Sequence, residues 1–411
     1  MIISSRFPKV APDSMTARVL LSFLATAGLF YVNIMPALVD GLKEGLAFSS
    51  KQAGMVGSFN MYGGACGAFV IAFMARRLNW KPAALWMLIG LIIMDLLSIP
   101  VSKPELLMAV RFGHGLIGGA LVGLGFSIFA RTAAPDRTFG VLLLVQAGAG
   151  GLGVMCLPWL VSVFGTPVLF ICLIAFSIVT LLMLQFLPAY EVIAPKADTK
   201  AAAPLMLTPL LFALCSVFLF QAANMGLYAF IIGLGRQAGL EIDFISETLG
   251  IANWVGMLGA LLVVILSTHY GIFKPILGGM LLALLGSWAL VSSDVKWIWI
   301  VSNLITGITW NFVIAYLLGM CARFDQTGQT AVWGGFASKM GLASGPMIGS
   351  FILHETQYTS LIWVALLMLL LASLFSGIPA WILDRGVDKE EPAPVPAPTP
   401  EPDNETYTTA S

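Results

Sequence analysis

Polar residues punctuate this sequence at intervals, and what lies between them is long and apolar. Twelve apolar runs can be read, near residues 16–39, 52–75, 82–101, 105–130, 138–163, 167–188, 208–234, 245–267, 275–293, 297–321, 330–353 and 358–383. A helix needs about 20 mostly apolar residues to cross the hydrocarbon of a bilayer, and each run is of that order. The pattern predicts an all-α integral membrane protein of twelve transmembrane helices. The longest polar stretch between runs, residues 189–207, divides them into two six-helix bundles, 16–188 and 208–383. Residues 1–15 are a polar leading segment. Residues 384–411 are a charged, Pro-rich tail with nothing to bury, expected to be disordered. The first run has full spanning length and no cleavage-like site, so it is read as a retained helix rather than a signal peptide.

Composition narrows the class. The chain is 58% hydrophobic and 10% charged, with a mean hydropathy of +0.92, whereas a soluble domain carries roughly 25% charge to solvate its surface. A net charge of zero argues against a nucleic-acid partner. Cys66, Cys156, Cys172, Cys215 and Cys321 fall inside apolar runs, without metal-ligand or disulfide spacing, and read as packing residues. No cofactor or metal is expected. Lys and Arg are distributed unevenly. One side of the membrane receives Arg6, Lys9, Arg18, Arg76, Arg77, Lys81, Arg131, Arg137, Lys196, Lys200, Lys274, Arg323, Arg385 and Lys389, and the other only Lys43, Lys51, Lys103, Arg236 and Lys296. By the positive-inside rule both termini and the central linker are expected in the cytoplasm, in a multi-pass protein of the plasma (inner) membrane. That topology makes the acceptor-like Asn404-Glu405-Thr406 irrelevant to glycosylation.

The halves echo each other. Arg76-Arg77-Leu78-Asn79-Trp80-Lys81-Pro82 follows the second run, and His269-Tyr270-Gly271-Ile272-Phe273-Lys274-Pro275 follows the eighth. Arg111 to Gly115 in the fourth run is matched by Asn303 to Gly307 in the tenth. Asp136 opens the fifth run with Pro158 inside it; Asp325 precedes the eleventh, with Gly345-Pro346 at nearly the same spacing. Such duplication is one of the repeat types of secondary transporters. On these residues the chain resembles the major facilitator superfamily. That family's loop between helices 2 and 3, G-x-L-A-D-R-x-G-R-R, is met by Arg77 and Lys81, with Arg76 in place of the acid and Asn79 in place of a glycine. Its helix 4 pattern of Arg and spaced glycines is met by Arg111, Gly115 and Gly119. Its helix 5 pattern, G-x-x-x-G-P-x-x-G-G, is met loosely by Gly148, Gly151, Gly153 and Pro158, and more closely in the eleventh run by Gly341, Gly345, Pro346 and Gly349. The resemblance implies the major facilitator fold, two pseudo-symmetric bundles with helices 1, 4, 7 and 10 lining a central cavity. It also makes Arg77, Lys81, Pro158, Gly341, Gly345 and Pro346 gating candidates; the same residues serve equally well for close packing.

A charge at the bilayer centre costs at least ~2.5–3.5 kcal/mol, so buried ions are functional candidates. Three stand out: Asp95 in the third run, Arg111 in the fourth and Lys339 in the eleventh. Asp95 and Arg111 each lie about seven residues from the same membrane side, hence at similar depth at ~1.5 Å per residue. They are expected to pair, with His114 one turn from Arg111, as a proton-coupling group. Lys339, near the midplane and opposite the small-residue stripe of its run, is expected to face the cavity as a substrate-site cation. Tyr31, Asn33, Gln146, Gln221, Asn224, Tyr228, Asn253, Trp254, Asn303, Trp310 and Asn311 suit a polar pocket with aromatic walls. The function expected is a proton-coupled secondary transporter of a small organic solute, leaning toward an anion because of Arg111 and Lys339, embedded in lipid as a monomer. The alternative is efflux of neutral or amphipathic compounds, suggested by 19 Met and 11 Trp. A polytopic enzyme is a distant third: His114, His269 and His354 lack an acidic partner at catalytic spacing, and no phosphate-binding loop appears.

Overall fold

The computed structural model describes residues 8–74, 77–190, 206–266, 269–324, 329–353 and 358–387; linker residues 191–205, Arg76, Asp325 and the tail beyond Val387 lie outside the described residues. The first half contains α1 (Met15–Asn33), α2 (Met35–Leu46), α3 (Ser50–Met74), α4 (Trp80–Ser98), α5 (Pro104–Phe129), α6 (Pro135–Phe164) and α7 (Pro167–Leu184). The second contains α8 (Leu207–Gln237), α9 (Ile242–Leu266), α10 (Phe273–Ala289), α11 (Lys296–Ala322), α12 (Gln329–Ile352) and α13 (Thr359–Val387). Among the described residues the protein is all-helical, and it is a multi-pass membrane protein.

The first predicted run is two helices rather than one. Pro36 sits in the first turn of α2, and Ile34 before it has left helical geometry at φ −104, ψ 18. Proline has no N–H for the carbonyl one turn back, and its ring crowds the preceding turn, so the ladder breaks there. Together α1 and α2 make one crossing. Eleven helices are individually long and apolar enough to span. The exception besides α2 is α12, which has 24 residues but carries Gln329, Thr330, Ser338, Lys339, Ser344 and Ser350. It is sheltered between α8 and α3. A polar crossing is tolerable when protein rather than lipid covers it.

Packing repeats between the halves. In the first, α3 lies along α5, α1 along α6, and α4 against α5 and α7; in the second, α9 lies along α11, α8 along α12, and α10 against α11 and α13. The halves meet mainly along two further pairs, α3 with α12 and α6 with α9, and also where α2 touches α8. Small residues set these approaches. A Cβ on Gly115 would fall 1.8 Å from the Asn60 carbonyl oxygen of α3, and one on Gly345 would fall 2.5 Å from the Ala222 oxygen of α8. Without a hydrophobic drive between helices in lipid, such backbone proximity supplies the association.

Each half ties off the face that carries the N-terminus. In the first, Lys81 donates to the Leu187 oxygen, Val10 N to the Phe186 oxygen at 3.0 Å, and the Tyr190 hydroxyl to the Pro12 oxygen at 2.8 Å. In the second, Asp384 at the end of α13 accepts from Ile272 N and Phe273 N at 2.9 and 3.0 Å. This is called the terminal face below, and the opposite one the far face. On the far face the chain leaves α8 through Gly239, whose φ of +79 lets it reverse and Leu240 N reach the Gly235 oxygen at 3.0 Å.

Candidate functional site

Between the halves lies a cavity of about 680 Å³, walled by α1, α6, α9 and α11. Its inner end is polar: Asn33 and Gln146 from the first half, Asn253 and Asn311 from the second. Its outer end reaches the terminal face past Met15, Arg18, Arg137 and Val264. The far face is closed. There Arg236 of α8 grips Asp40 of α2 through Nε and Nη2 at 3.2 and 3.1 Å, and Lys43 Nζ donates to the Tyr358 hydroxyl at 2.6 Å. Nearer the middle, the Tyr228 hydroxyl donates to the Asn33 backbone oxygen at 2.9 Å, again joining the halves. The volume is in the range of small-molecule sites, and its position between two packed bodies is a usual one.

A smaller chamber of about 70 Å³ lies within the second half, between α8, α9 and α11. Asn224, Tyr228, Asn253, Asn303, Trp310 and Asn311 line it, so six sequence-predicted pocket residues meet here. Asn253 and Asn311 border both spaces. Gln221 stands behind the chamber as a strut, accepting from Trp310 Nε1 at 2.6 Å and donating to Ser338 Oγ at 2.7 Å. Trp254 is turned the other way: its indole packs on Gly151, in the α6–α9 contact.

The charged residues are gathered elsewhere. Arg111 Nη1 meets Asp95 Oδ1 at 2.8 Å, both side chains wholly buried. Its other amino group reaches Ser98 Oγ and, at 2.9 Å, the Met94 oxygen, while its guanidinium lies over Phe170 and Tyr31 at 5.0 and 5.8 Å. His114 Nε2 sits 3.4 Å from the same Asp95 oxygen. Asn60 Nδ2 donates to the Arg111 backbone oxygen at 3.0 Å and lies 2.8 Å from His114 Nδ1. A nitrogen that receives an N–H is the bare one, so the proton of a neutral His114 is on Nε2, facing the carboxylate. Asp95 Oδ2 and Arg111 Nε have no partner among the described residues. The resemblance implied that the fourth run would line the cavity; its charged face instead turns to α4, where a buried cation finds its counter-ion.

Lys339 is separate from both groups. It enters a third chamber of about 60 Å³, bordered by α1, α3 and α5, where Gly28, Asn60, Gly64, Gly115 and Gly119 face it. It has no hydrogen-bonding or ionic partner among the described residues. Lys339 does not border the large cavity, so the structure does not bring it together with the amides there. The proposed gating residues are scattered: Arg77 is exposed, Lys81 belongs to the terminal-face tie, Pro158 is inside α6, and Gly341, Gly345 and Pro346 lie on α12 where it packs on α8 and α3. Among the described residues no three His, Cys, Asp or Glu side chains converge as a metal site.

Some participants escaped the sequence reading. Arg18 and Arg137 border the cavity, though as flanking residues they looked like topology markers only. Asp40 and Arg236 are 196 positions apart and each ends an apolar run, so nothing local pairs them. The one available signal was an acid directly after the first run.

The profile of the Major Facilitator Superfamily matches residues 19–338. An uncharacterised MFS-type transporter of Bacillus subtilis (strain 168), YceJ, is 23% identical over 359 residues, covering 84% of this chain and 92% of that protein. Among solved structures, the nucleoside transporter NupG superposes with a TM-score of 0.66 at 15% identity, covering 87% of this chain and 97% of that one. A bacterial homologue of the human lysosomal transporter Spinster, in an inward-facing and unoccupied conformation, gives 0.64 at 14% identity, covering 93% and 100%. With its duplicated six-helix halves meeting around a central cavity, and with that profile spanning most of its length, the chain belongs to the Major Facilitator Superfamily and is a membrane transporter, not an enzyme.

Proposed function

We propose that this transporter carries a small, neutral, polar organic solute by alternating access through the 680 Å³ cavity. One observation carries the reading: amides from both halves, Asn33 and Gln146 with Asn253 and Asn311, converge on a space open at one face and sealed at the other. A solute held between the halves couples their movement to its own passage. The anionic preference expected from the sequence rests on Arg111 and Lys339. Both lie off this cavity, the first neutralised by Asp95 and the second in a separate chamber among α1, α3 and α5. Proton coupling is assigned to Asp95, whose protonation would release Arg111 and unlock α4 from α5. The Lys/Arg bias supports a cytoplasmic terminal face, so the cavity is inward-open in the plasma membrane. The working unit is taken as the monomer, since the cavity is built within one chain.

The test uses Lys43→Cys with Tyr358→Cys, two positions whose native side chains meet at their tips across the closed far face, joined by a reducible bis-methanethiosulfonate spacer that replaces that reach. In proteoliposomes, flux of a transported neutral solute is expected to stop on cross-linking with that spacer and return on reduction. It is expected to be faster with a proton gradient, and Asp95→Asn to lose that acceleration while keeping solute exchange. Undiminished flux through the cross-linked protein would sink the alternating-access reading. Flux of lipophilic compounds in place of polar ones would favour efflux, for which the apolar wall of Val141, Leu144, Leu261 and Val264 is the supporting feature.

A further inference from the structure

The asparagines of the 70 Å³ chamber share one habit. Asn224 Nδ2 donates to the Phe220 oxygen at 2.8 Å, Asn253 Nδ2 to Leu249 at 3.0 Å, Asn303 Nδ2 to Trp299 at 2.9 Å and Asn311 Nδ2 to Gly307 at 3.1 Å. Each acceptor is the backbone carbonyl one turn earlier in the same helix. A carbonyl oxygen cannot donate, so the amide atom that faces it must be the nitrogen, and the orientation of all four amides is fixed by chemistry. Their Oδ1 atoms are thereby turned away from the helices that hold the nitrogens. None of the four oxygens has a partner among the described residues. Asn224 and Asn303 are only 2% and 7% exposed, and what their side chains border is the chamber. The chamber is therefore a cluster of hydrogen-bond acceptors with no donors assigned.

Charge decides what can fill it. No Asp, Glu, Lys or Arg lines the chamber. An anion would face four carbonyl-type oxygens, and a full cation would be buried without a counter-ion. A neutral donor meets neither penalty. The remaining walls suit the carbon skeleton of such a group: Trp310 has spent its Nε1–H on Gln221 and presents ring carbon, with Tyr228 edge-on at 5.6 Å and 76°. Across the boundary with the large cavity, the Asn33 amide nitrogen is buried without a partner among the described residues, and with no bond to fix the amide it can turn to donate where the chamber offers acceptors. A hydroxyl group is both, giving its proton to one side and accepting from the other.

We propose that this chamber binds the hydroxyl-bearing end of a polyhydroxylated solute, a sugar, a polyol or the sugar part of a larger molecule. Its O–H groups donate to Oδ1 of Asn224, Asn253, Asn303 and Asn311, and Asn33 Nδ2 donates back to a hydroxyl oxygen. The assignment rests on the cavity being the transport path and names the class of compound that path takes.

The full chain, purified in detergent, is titrated with ribose, xylitol, glucose and uridine, their deoxy analogues, lactate, ethanolamine, and sodium against potassium chloride. Binding is read by calorimetry and thermal shift. Hydroxylated compounds are expected to bind, and loss of one contacting hydroxyl to weaken binding about tenfold, the worth of one hydrogen bond. Asn224→Leu and Asn303→Leu are expected to weaken the parent compound to a similar extent while affecting the matching deoxy analogue little. Asn311→Ala, at an exposed position, serves the same purpose if those variants fold poorly. Binding of lactate or ethanolamine in preference to polyols, stabilisation by sodium alone, or binding by no member of the panel would each overturn the proposal. So would polyol binding that all three variants leave intact. Parallel flux measurements separate the two readings: a polyol bound through these asparagines but never moved upholds the chamber and removes the transport path, whereas carriage of lactate does the reverse.

Discussion

Arg111 in the first half and Asn303 in the second open echoing motifs on corresponding helices, α5 and α11, yet they solve the same burial problem in opposite ways. Arg111 carries a full charge, which lipid and packed protein both penalise, so its side chain goes to the neighbouring helix that offers Asp95 and Ser98. Asn303 is neutral and satisfies its amide nitrogen on its own helix, at the Trp299 oxygen. That local solution leaves the other end of the amide free to face a cavity. The first half therefore keeps its ions in a dry lock between α4 and α5, and the second spends neutral amides on an open polar chamber. In this pair the strong charge is neutralised within the protein and the weaker group is left free for a ligand; Lys339, buried with no partner among the described residues, follows neither course.

The largest expected effect comes from breaking the lock. Asp95→Asn or Arg111→Gln alone strands a buried ion and should cost about 3–5 kcal/mol of stability, read as a large fall in melting temperature in detergent. Combining the two should restore much of it, because neither charge is then left alone. Additive losses would show that Asp95 and Arg111 contribute independently and that the contrast between the halves is misdrawn.

The corresponding change in the second half should be mild. Asn303→Leu removes an amide bonded only to its own helix, so the melting temperature should fall by the equivalent of under about 1 kcal/mol. Solute affinity should fall with it, whereas the Asp95 and Arg111 variants lose stability first. If Asn303→Leu unfolds the protein as Asp95→Asn does, the amides are structural struts like the ion pair.

The smallest effect concerns how each half fastens the terminal face. Burial, with the Asp13 carboxylate nearby, pushes the Tyr190 phenol up to about 12. In the unfolded chain it ionises near pH ~10. The folded value is the higher one, so the stability this tyrosine contributes is complete below pH ~10 and is lost as pH rises toward 12. Tyr190→Phe should flatten that alkaline decline and cost about 1 kcal/mol at neutral pH through the lost bond to the Pro12 oxygen. The Asp384 tie of the second half has no phenol, so Asp384→Asn should leave the alkaline limb unchanged.

The sequence by itself determined that the chain lives in a membrane, crosses it many times, and does so as two related halves. Those properties are sums over local runs: hydropathy over some twenty residues decides a crossing, and Pro36, Gly115 or Gly345 limits what the backbone nearby can do. It also determined which residues are the costly ones inside, since Asp95, Arg111, Lys339 and the asparagines are conspicuous in apolar surroundings. Where those side chains point was decided only by tertiary structure. Helix rotation follows from glycine contacts with partners far along the chain, and a turn of about 100° per residue moves a side chain from cavity to core. Packing aimed Arg111 at α4, delivered Lys339 into a small chamber among α1, α3 and α5, and joined Asp40 to Arg236 across the closed face. It also gathered four asparagines around one space, each with its amide nitrogen satisfied by its own helix.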